Sequence, residues 1–572
     1  MSHVNRPTRS ITSLAAGAGL LLSTAAVVLA SSHTASSAPP GGDCATPFPV
    51  AELESGDAVT GLTVAKGTTP AGFTGEVLGV VEDGIAPGLD MVMVDLTSPD
   101  IDRVKSIWQG MSGSPVYAAD GRLIGAVAYG LSYGPSQIAG VTPFEKMDDY
   151  LGAASRSTVT LDRADARAVA RSAGVTQAQA ARGFKRLSVP MAVSGINPAR
   201  IDKVARREYL RTPLAGASSG AAVGAETIVA GGNLGASVSY GTVNYAGVGT
   251  ATSVCDGEVV GFGHPLAYLG ATTAALHPAS AVYVQPDPVG AAFKVANLGA
   301  PVGSITDDRY AGISGAFGAA PKGTVISARS VFGSRSFAGT STVTVPLFTG
   351  EVAWYHLATV NDRAVDGMTK GNALVSWSIK GKDAKGKAYE LKHTDRYLGS
   401  YDVTSEGVGE LPDLVWSLSE LDGVTVDSVT SDSKIVTDAK RLKVSEVHRK
   451  VKGKWVNITG DLTLKAGSKV TLRAALSGKG TPVYRTMTLT VPKKLKGKKA
   501  PLWVRGGYDH AGQGGWGSLP GLKTYVATKV RNDQVVAQLG NAPEGKAAPA
   551  QAVAGHTSNV VTGQKRIRVI IK

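Results

Sequence analysis

The chain has 572 residues, of which 71 are glycine and only 6% are aromatic, and it carries a formal net charge of +14. That length exceeds what one core supports, so about three or four domains are expected, and abundant glycine with sparse helical periodicity points to short strands and turns, a mainly β fold. The positive charge comes without aromatic interleaving or a recognisable motif, which excludes nucleic acid as an expected partner.

At the N-terminus, Arg6 and Arg9 precede an uncharged apolar run over residues 14–30, and Ser36-Ser37-Ala38 offers small residues for cleavage. Residues 1–38 therefore read as a signal peptide. No later run has the apolar length of a membrane span, so no transmembrane anchor is expected once that segment is removed. The expected location is secreted, or at the cell surface or cell wall. Cys44 and Cys255 are the only cysteines, and in an exported chain they can form one disulfide. No Cys/His spacing resembles a metal site, and neither metal nor organic cofactor is expected.

Residues 39–155 alternate short β-type runs with turns and read as one β-barrel module. It contains Gly110-Met111-Ser112-Gly113-Ser114-Pro115, in which small residues on both sides of Ser112 let the backbone turn and present the hydroxyl. The amides of Gly110 and Ser112, with Met111 as a further donor, can then converge on one point as an oxyanion hole requires. Asp120-Gly121 suits a tight hairpin turn. It returns an apolar strand whose end, Ala126-Val127-Ala128-Tyr129-Gly130, is expected to hold a substrate backbone.

Residues 156–212 read as a helical connector, with a further helix over 197–210 opened by Pro198. Residues 213–345 form a second Gly/Ala-rich β-barrel module. Among nine histidines, His264 stands out in Val259-Val260-Gly261-Phe262-Gly263-His264-Pro265, where an apolar strand runs into small residues beside the imidazole. His277 also precedes a proline but lacks that approach. Residues 346–430 read as a β-rich module, 431–540 as an immunoglobulin-like β-sandwich, and 541–572 as a flexible tail. Two basic runs, 449–454 and 493–499, read as solvated hairpin tips or as sites of attraction to an anionic cell-wall polymer or membrane surface.

Together these stretches resemble the SpoIVB-type (S55) serine peptidases, a trypsin-like family that acts outside the bacterial cytoplasm. The family's nucleophile signature matches residues 110–115 residue for residue. Its histidine module is matched by residues 247–252, Phe262-Gly263-His264, residues 293–296, 302–305 and 310–315. The resemblance covers roughly residues 60–150 and 213–330. It implies a trypsin-like two-barrel core, with Ser112 as nucleophile and His264 as general base. Two departures stand out. The serine module precedes the histidine module here, the reverse of the family's order. The family's Asp-Pro step reads Ser98-Pro99, so the third triad member is open among Asp100, Asp307 and Asp308, with Asp95 and Asp102 nearby.

The resulting expectation is an exported serine endopeptidase that cleaves extracytoplasmic proteins or peptides in limited, regulatory fashion. The alternatives are a catalytically inactive peptidase-fold scaffold and a cell-wall-binding protein whose basic C-terminal region is the working part.

Overall fold

The computed structural model describes residues 44–572 apart from 133, 150–157, 188–190, 198–199, 201–222, 290, 479, 511 and 542–549. The expected signal peptide over 1–38 lies outside the described residues, as does the expected helix over 197–210 apart from Asn197 and Arg200.

Strands β1 (Ala58–Thr63), β2 (Ala71–Ala86) and β3 (Leu89–Thr97) form an antiparallel meander. Helix α1 (Pro99–Val104) follows, opened by the Ser98 hydroxyl, which accepts from the Ile101 amide. Next come the two-residue β4 (Trp108–Gln109), β5 (Pro115–Ala118), β6 (Leu123–Leu131) and β7 (Ile138–Pro143). The order β5-β1-β2-β3-β7-β6 closes on itself through β5–β6 pairing, giving a six-stranded barrel. The Asp120-Gly121 turn forms as expected, with Gly121 at φ 86° and the Asp120 carboxylate accepting from the Arg122 amide.

The first module ends in α2 (Phe144–Asp149), and the connector contains β8 (Thr158–Val159), α3 (Arg163–Ala173) and α4 (Gln177–Ala180). It is helical as expected, with Asp162 capping α3 and a Thr176/Gln179 capping box on α4. It also carries β9 (Phe184–Arg186), which adds to the first barrel's sheet beside β6, and β10 (Ala192–Ser194), which pairs in the second barrel.

The second barrel comprises β11 (Asn233–Gly241), β12 (Asn244–Cys255), β13 (Glu258–Gly261), β14 (Gly270–Gln285), β15 (Ala292–Leu298), β16 (Gly303–Arg309) and β17 (Gly312–Phe317). Six of these close in the order β11-β12-β13-β17-β16-β14 through β11–β14 pairing, while β15 pairs with β14 outside the ring. The two-barrel core is therefore present.

The region over 346–430 departs from the expectation of a separate module. Strands β18 (Thr324–Phe332), β19 (Arg335–Val343), β20 (Gly371–Lys382), β21 (Ala388–Gly399) and β22 (Thr425–Val436) continue the second barrel's sheet in the order β21-β20-β22-β18-β19-β11. Helix α5 (Thr349–Val365) lies against this extension, and the two share one core with the barrel. Buried Arg200 ties the connector to it, 2.7 Å from Asp362 and also paired with Asp402.

Two five-stranded sheets, one containing Arg441–Val451 and Lys469–Ser477, the other Lys499–Gly506 and Val535–Leu539, enclose a separate core and form the C-terminal β-sandwich. The expected flexible tail is corrected here. Gln564–Ile571 is an inner strand of the second sheet, with Ile567, Val569 and Ile571 turned into the core at alternate positions. The basic run over 449–454 sits at a hairpin tip, where Lys452 and Gly453 take positive φ.

His277 and His356 are buried and neutral. His277 lies 2.8 Å from Ser237 Oγ and His356 2.8 Å from Ser341 Oγ, and burial pushes both imidazoles down to about 4. Between the ordinary value of 6.5 and about 4, the unfolded chain binds protons that the folded chain refuses. Stability is therefore expected to fall as pH drops through that window. Urea midpoints measured across it should slope downward toward acid, and His277→Gln should flatten part of the slope.

Candidate active site

The nucleophile loop joins β4 to β5 in the first barrel. Gly110 and Gly113 take φ of 93° and 97°, which bends the chain sharply around Ser112. At Gly113 a Cβ would lie 1.9 Å from Thr250 O, so no side chain fits there. The Met111 amide donates to Trp108 O at 3.0 Å and the Gly113 amide to Val127 O at 2.8 Å. This corrects the expected oxyanion set. Met111 is already engaged within the loop, which leaves the Gly110 and Ser112 amides as the expected donors.

His264 stands on the turn that ends β13. Phe262, at φ 68°, and Gly263, at φ 67°, reverse the chain in two left-handed steps, a conformation that is costly for phenylalanine. Burial of the Phe262 ring among apolar residues of the second barrel offsets that cost. Gly263 packs against Ala126 and Ala128 of β6, and its carbonyl accepts from Thr142 Oγ1 at 2.6 Å. The turn thus presses directly on the other barrel.

These two loops bring the expected pair together. Ser112 Oγ lies 2.9 Å from His264 Nε2 although 152 positions separate them, and both residues are buried. His264 Nδ1 lies 2.9 Å from Pro265 O. A carbonyl only accepts, so Nδ1 carries the proton and Nε2 is left to accept from the serine hydroxyl.

The expected acids divide differently. Asp100 is half-exposed and pairs with Arg103 at 3.3 Å, while Asp307 pairs with Arg309 at 2.9 Å. Asp95 accepts from Ser172, and Asp102 from Gln137. Neither Asp100 nor Asp307 is the buried carboxylate of this site. That carboxylate is Asp308, whose oxygens accept the amides of Leu266, Ala267 and Leu269 at 2.7, 2.8 and 3.1 Å. It pins the segment directly after His264-Pro265.

Contacts between the barrels were not legible as site residues. Thr250 N–H donates to Ser112 O at 2.8 Å, Thr250 Oγ1 to Gly110 O at 3.2 Å, and Thr252 Oγ1 to Gly113 O at 2.8 Å. β4 pairs in parallel with β15, Trp108 facing Ala292. The Cys44–Cys255 disulfide joins the start of the described chain to the end of β12. Behind Gly110, the stem of buried Lys294 fills the space, and its Nζ donates to Asn233 Oδ1 at 2.9 Å. Burial pushes that amine down to about 7.

The expected substrate strand is present but taken. Ala126–Gly130 lies within β6, which pairs with β5 and β7 and, over Tyr129–Leu131, with the chain's own β9. No protein-family model, curated protein or solved structure matches the chain.

Replacing the carboxylate that holds three amides should loosen the histidine turn. Asp308→Asn is expected to cost about 1–3 kcal/mol of stability. In a Leu187→Asp background, which uncovers β6, the reactivity of Ser112 toward a phosphonylating reagent should fall by up to about 100-fold. Unchanged reactivity would remove Asp308 from the site.

Proposed function

We propose that the chain is a serine endopeptidase that acts outside the cytoplasm, of the kind its Gly110–Pro115 motif resembles. The observation that carries this reading is the 2.9 Å contact between Ser112 Oγ and a His264 Nε2 whose ring is fixed by a carbonyl on the opposite nitrogen. Ser112 attacks the scissile carbonyl as His264 accepts its proton. The amides of Gly110 and Ser112 receive the developing oxyanion, and His264 returns the proton to the leaving amine. Water then resolves the acyl-enzyme by the same path. No metal or organic cofactor takes part in this scheme. A limited set of extracytoplasmic protein or peptide substrates fits the covered acceptor strand better than bulk digestion does. Export is also consistent with the disulfide.

The scaffold alternative has one observation in its favour, the occupation of the acceptor strand by β9. For the basic C-terminal region, Lys465, Lys496 and Lys572 line one cavity of about 600 Å³. Salt-sensitive attachment to an anionic cell-wall polymer is the partner this supports.

The test requires an open acceptor strand. Leu187→Asp places a charge where Leu187 is buried and should expel the covering segment. A fluorophosphonate should then label Ser112. Ser112→Ala should abolish labelling, and His264→Ala should slow it by on the order of 10³-fold or more. A folded Leu187→Asp protein that stays unlabelled would contradict the peptidase reading and favour the scaffold.

A further inference from the structure

The strand beside the nucleophile carries the chain's own peptide in the alignment that a substrate needs. β9 runs antiparallel to β6, with Arg186 facing Tyr129, Lys185 facing Gly130 and Phe184 facing Leu131. The pairing extends past both ends of β9. Ser132 N–H donates to Gly183 O at 3.0 Å, and Leu187 N–H donates to Ala128 O at 2.9 Å. Leu187 is the last described residue of the run. Among the described residues the return bond, from the Ala128 amide to the Leu187 carbonyl, is not made, which leaves that carbonyl off the ladder.

Three contacts place Leu187 at the candidate active site. Val127, next to Ala128, exchanges both of its backbone bonds with the nucleophile loop, accepting from Gly113 N–H and donating to Ser114 O. The Cβ of Ala128 packs against Gly263, the neighbour of His264. The Leu187 side chain lies over Gly130 and beside Ile107, in an apolar cluster that includes Met111. Leu187 is therefore held by its N–H and by its side chain, on the side of β6 where Ser112 and His264 meet.

From this register we infer that the chain is its own first substrate, cut by Ser112 between Leu187 and Ser188. The inference rests on the peptidase reading above. Ser112 Oγ bonds to the Leu187 carbonyl carbon while its proton passes to His264 Nε2. The bond to the Ser188 nitrogen breaks, and His264 gives that proton to the departing amine. Water then hydrolyses the Ser112–Leu187 ester, restoring the serine and leaving a Leu187 carboxylate and a new N-terminus at Ser188. The Cys44–Cys255 disulfide spans the cut, so the two pieces stay covalently joined. Cutting frees one end of the covering segment, and its departure opens β6 to other peptides. The same pocket assigns a medium-sized apolar residue to the acyl side of those substrates.

The experiment uses the full chain as wild type, Ser112→Ala and Leu187→Asp, read by gels with and without reductant and by N-terminal sequencing. The wild type should give two pieces under reduction and one without it, with a new N-terminus reading Ser-Val-Pro. The cutting rate should not depend on protein concentration, because the bond and the nucleophile share one chain. Ser112→Ala should remain whole. A wild type that stays whole, a cut at another bond, or an equal cut in Ser112→Ala overturns the inference. If the wild type stays whole while Ser112 of Leu187→Asp is labelled by fluorophosphonate, only self-cleavage falls. If folded Leu187→Asp is also unlabelled, the peptidase reading falls with it.

Discussion

One strand residue, Thr250, couples the two halves of the candidate site. Its amide holds the Ser112 carbonyl, its hydroxyl holds the Gly110 carbonyl, and its own carbonyl accepts from Phe262 N–H at 3.3 Å, at the start of the histidine turn. The nucleophile loop and the base turn are thereby referenced to a single residue, although they belong to different barrels. A hydroxyl and an imidazole 2.9 Å apart tolerate little relative movement, since misplacement by about 1 Å can cost 100-fold in rate. The Thr252 bond, the β4–β15 pairing and the disulfide reinforce the same seam.

That the serine-bearing barrel precedes the histidine-bearing one sets no constraint on this arrangement. Each barrel closes through its own antiparallel pairings, so neither needs the other's strands to complete its ring. What the pair needs is a shared face, and small residues supply it. Gly113 lies against Thr250 O, and Gly263 against Ala126 and Ala128. His264 Nδ1 lies against the Pro265 carbonyl, and the buried Asp308 carboxylate holds the amides of the segment that follows.

Much of this was legible in the sequence because local chemistry demanded it. Glycines around Ser112, the Asp120-Gly121 turn and Phe262-Gly263-His264 are local signals that required no knowledge of distant contacts. The acid was harder to read. Asp307 and Asp308 are adjacent, and which side chain turns inward depends on a register irregularity between Ile305 and Asp307 that no spacing announces. Thr250 sits in a strand among several buried small residues, and its importance comes only from what lies opposite. The last strand shows the reverse failure. The alternation at Ile567, Val569 and Ile571 was readable, but the Ala/Gln/Gly-rich stretch before it suggested a disordered end. Occupation of β6 by β9 could not be foreseen, because the strand pattern of β6 says that an edge is available and not which peptide takes it.

The central claim is that the group at position 112 lies against the His264 imidazole across the barrel seam. Both native cysteines are consumed in the disulfide, so Ser112→Cys would carry the one free thiol, and its ionisation can be followed by thiolate ultraviolet absorbance without any reagent reaching the site. The account predicts a thiolate that forms well below the ordinary value of about 8.5, by imidazolium pairing, and that returns toward it when His264→Ala is added. An identical titration with and without His264 would contradict it.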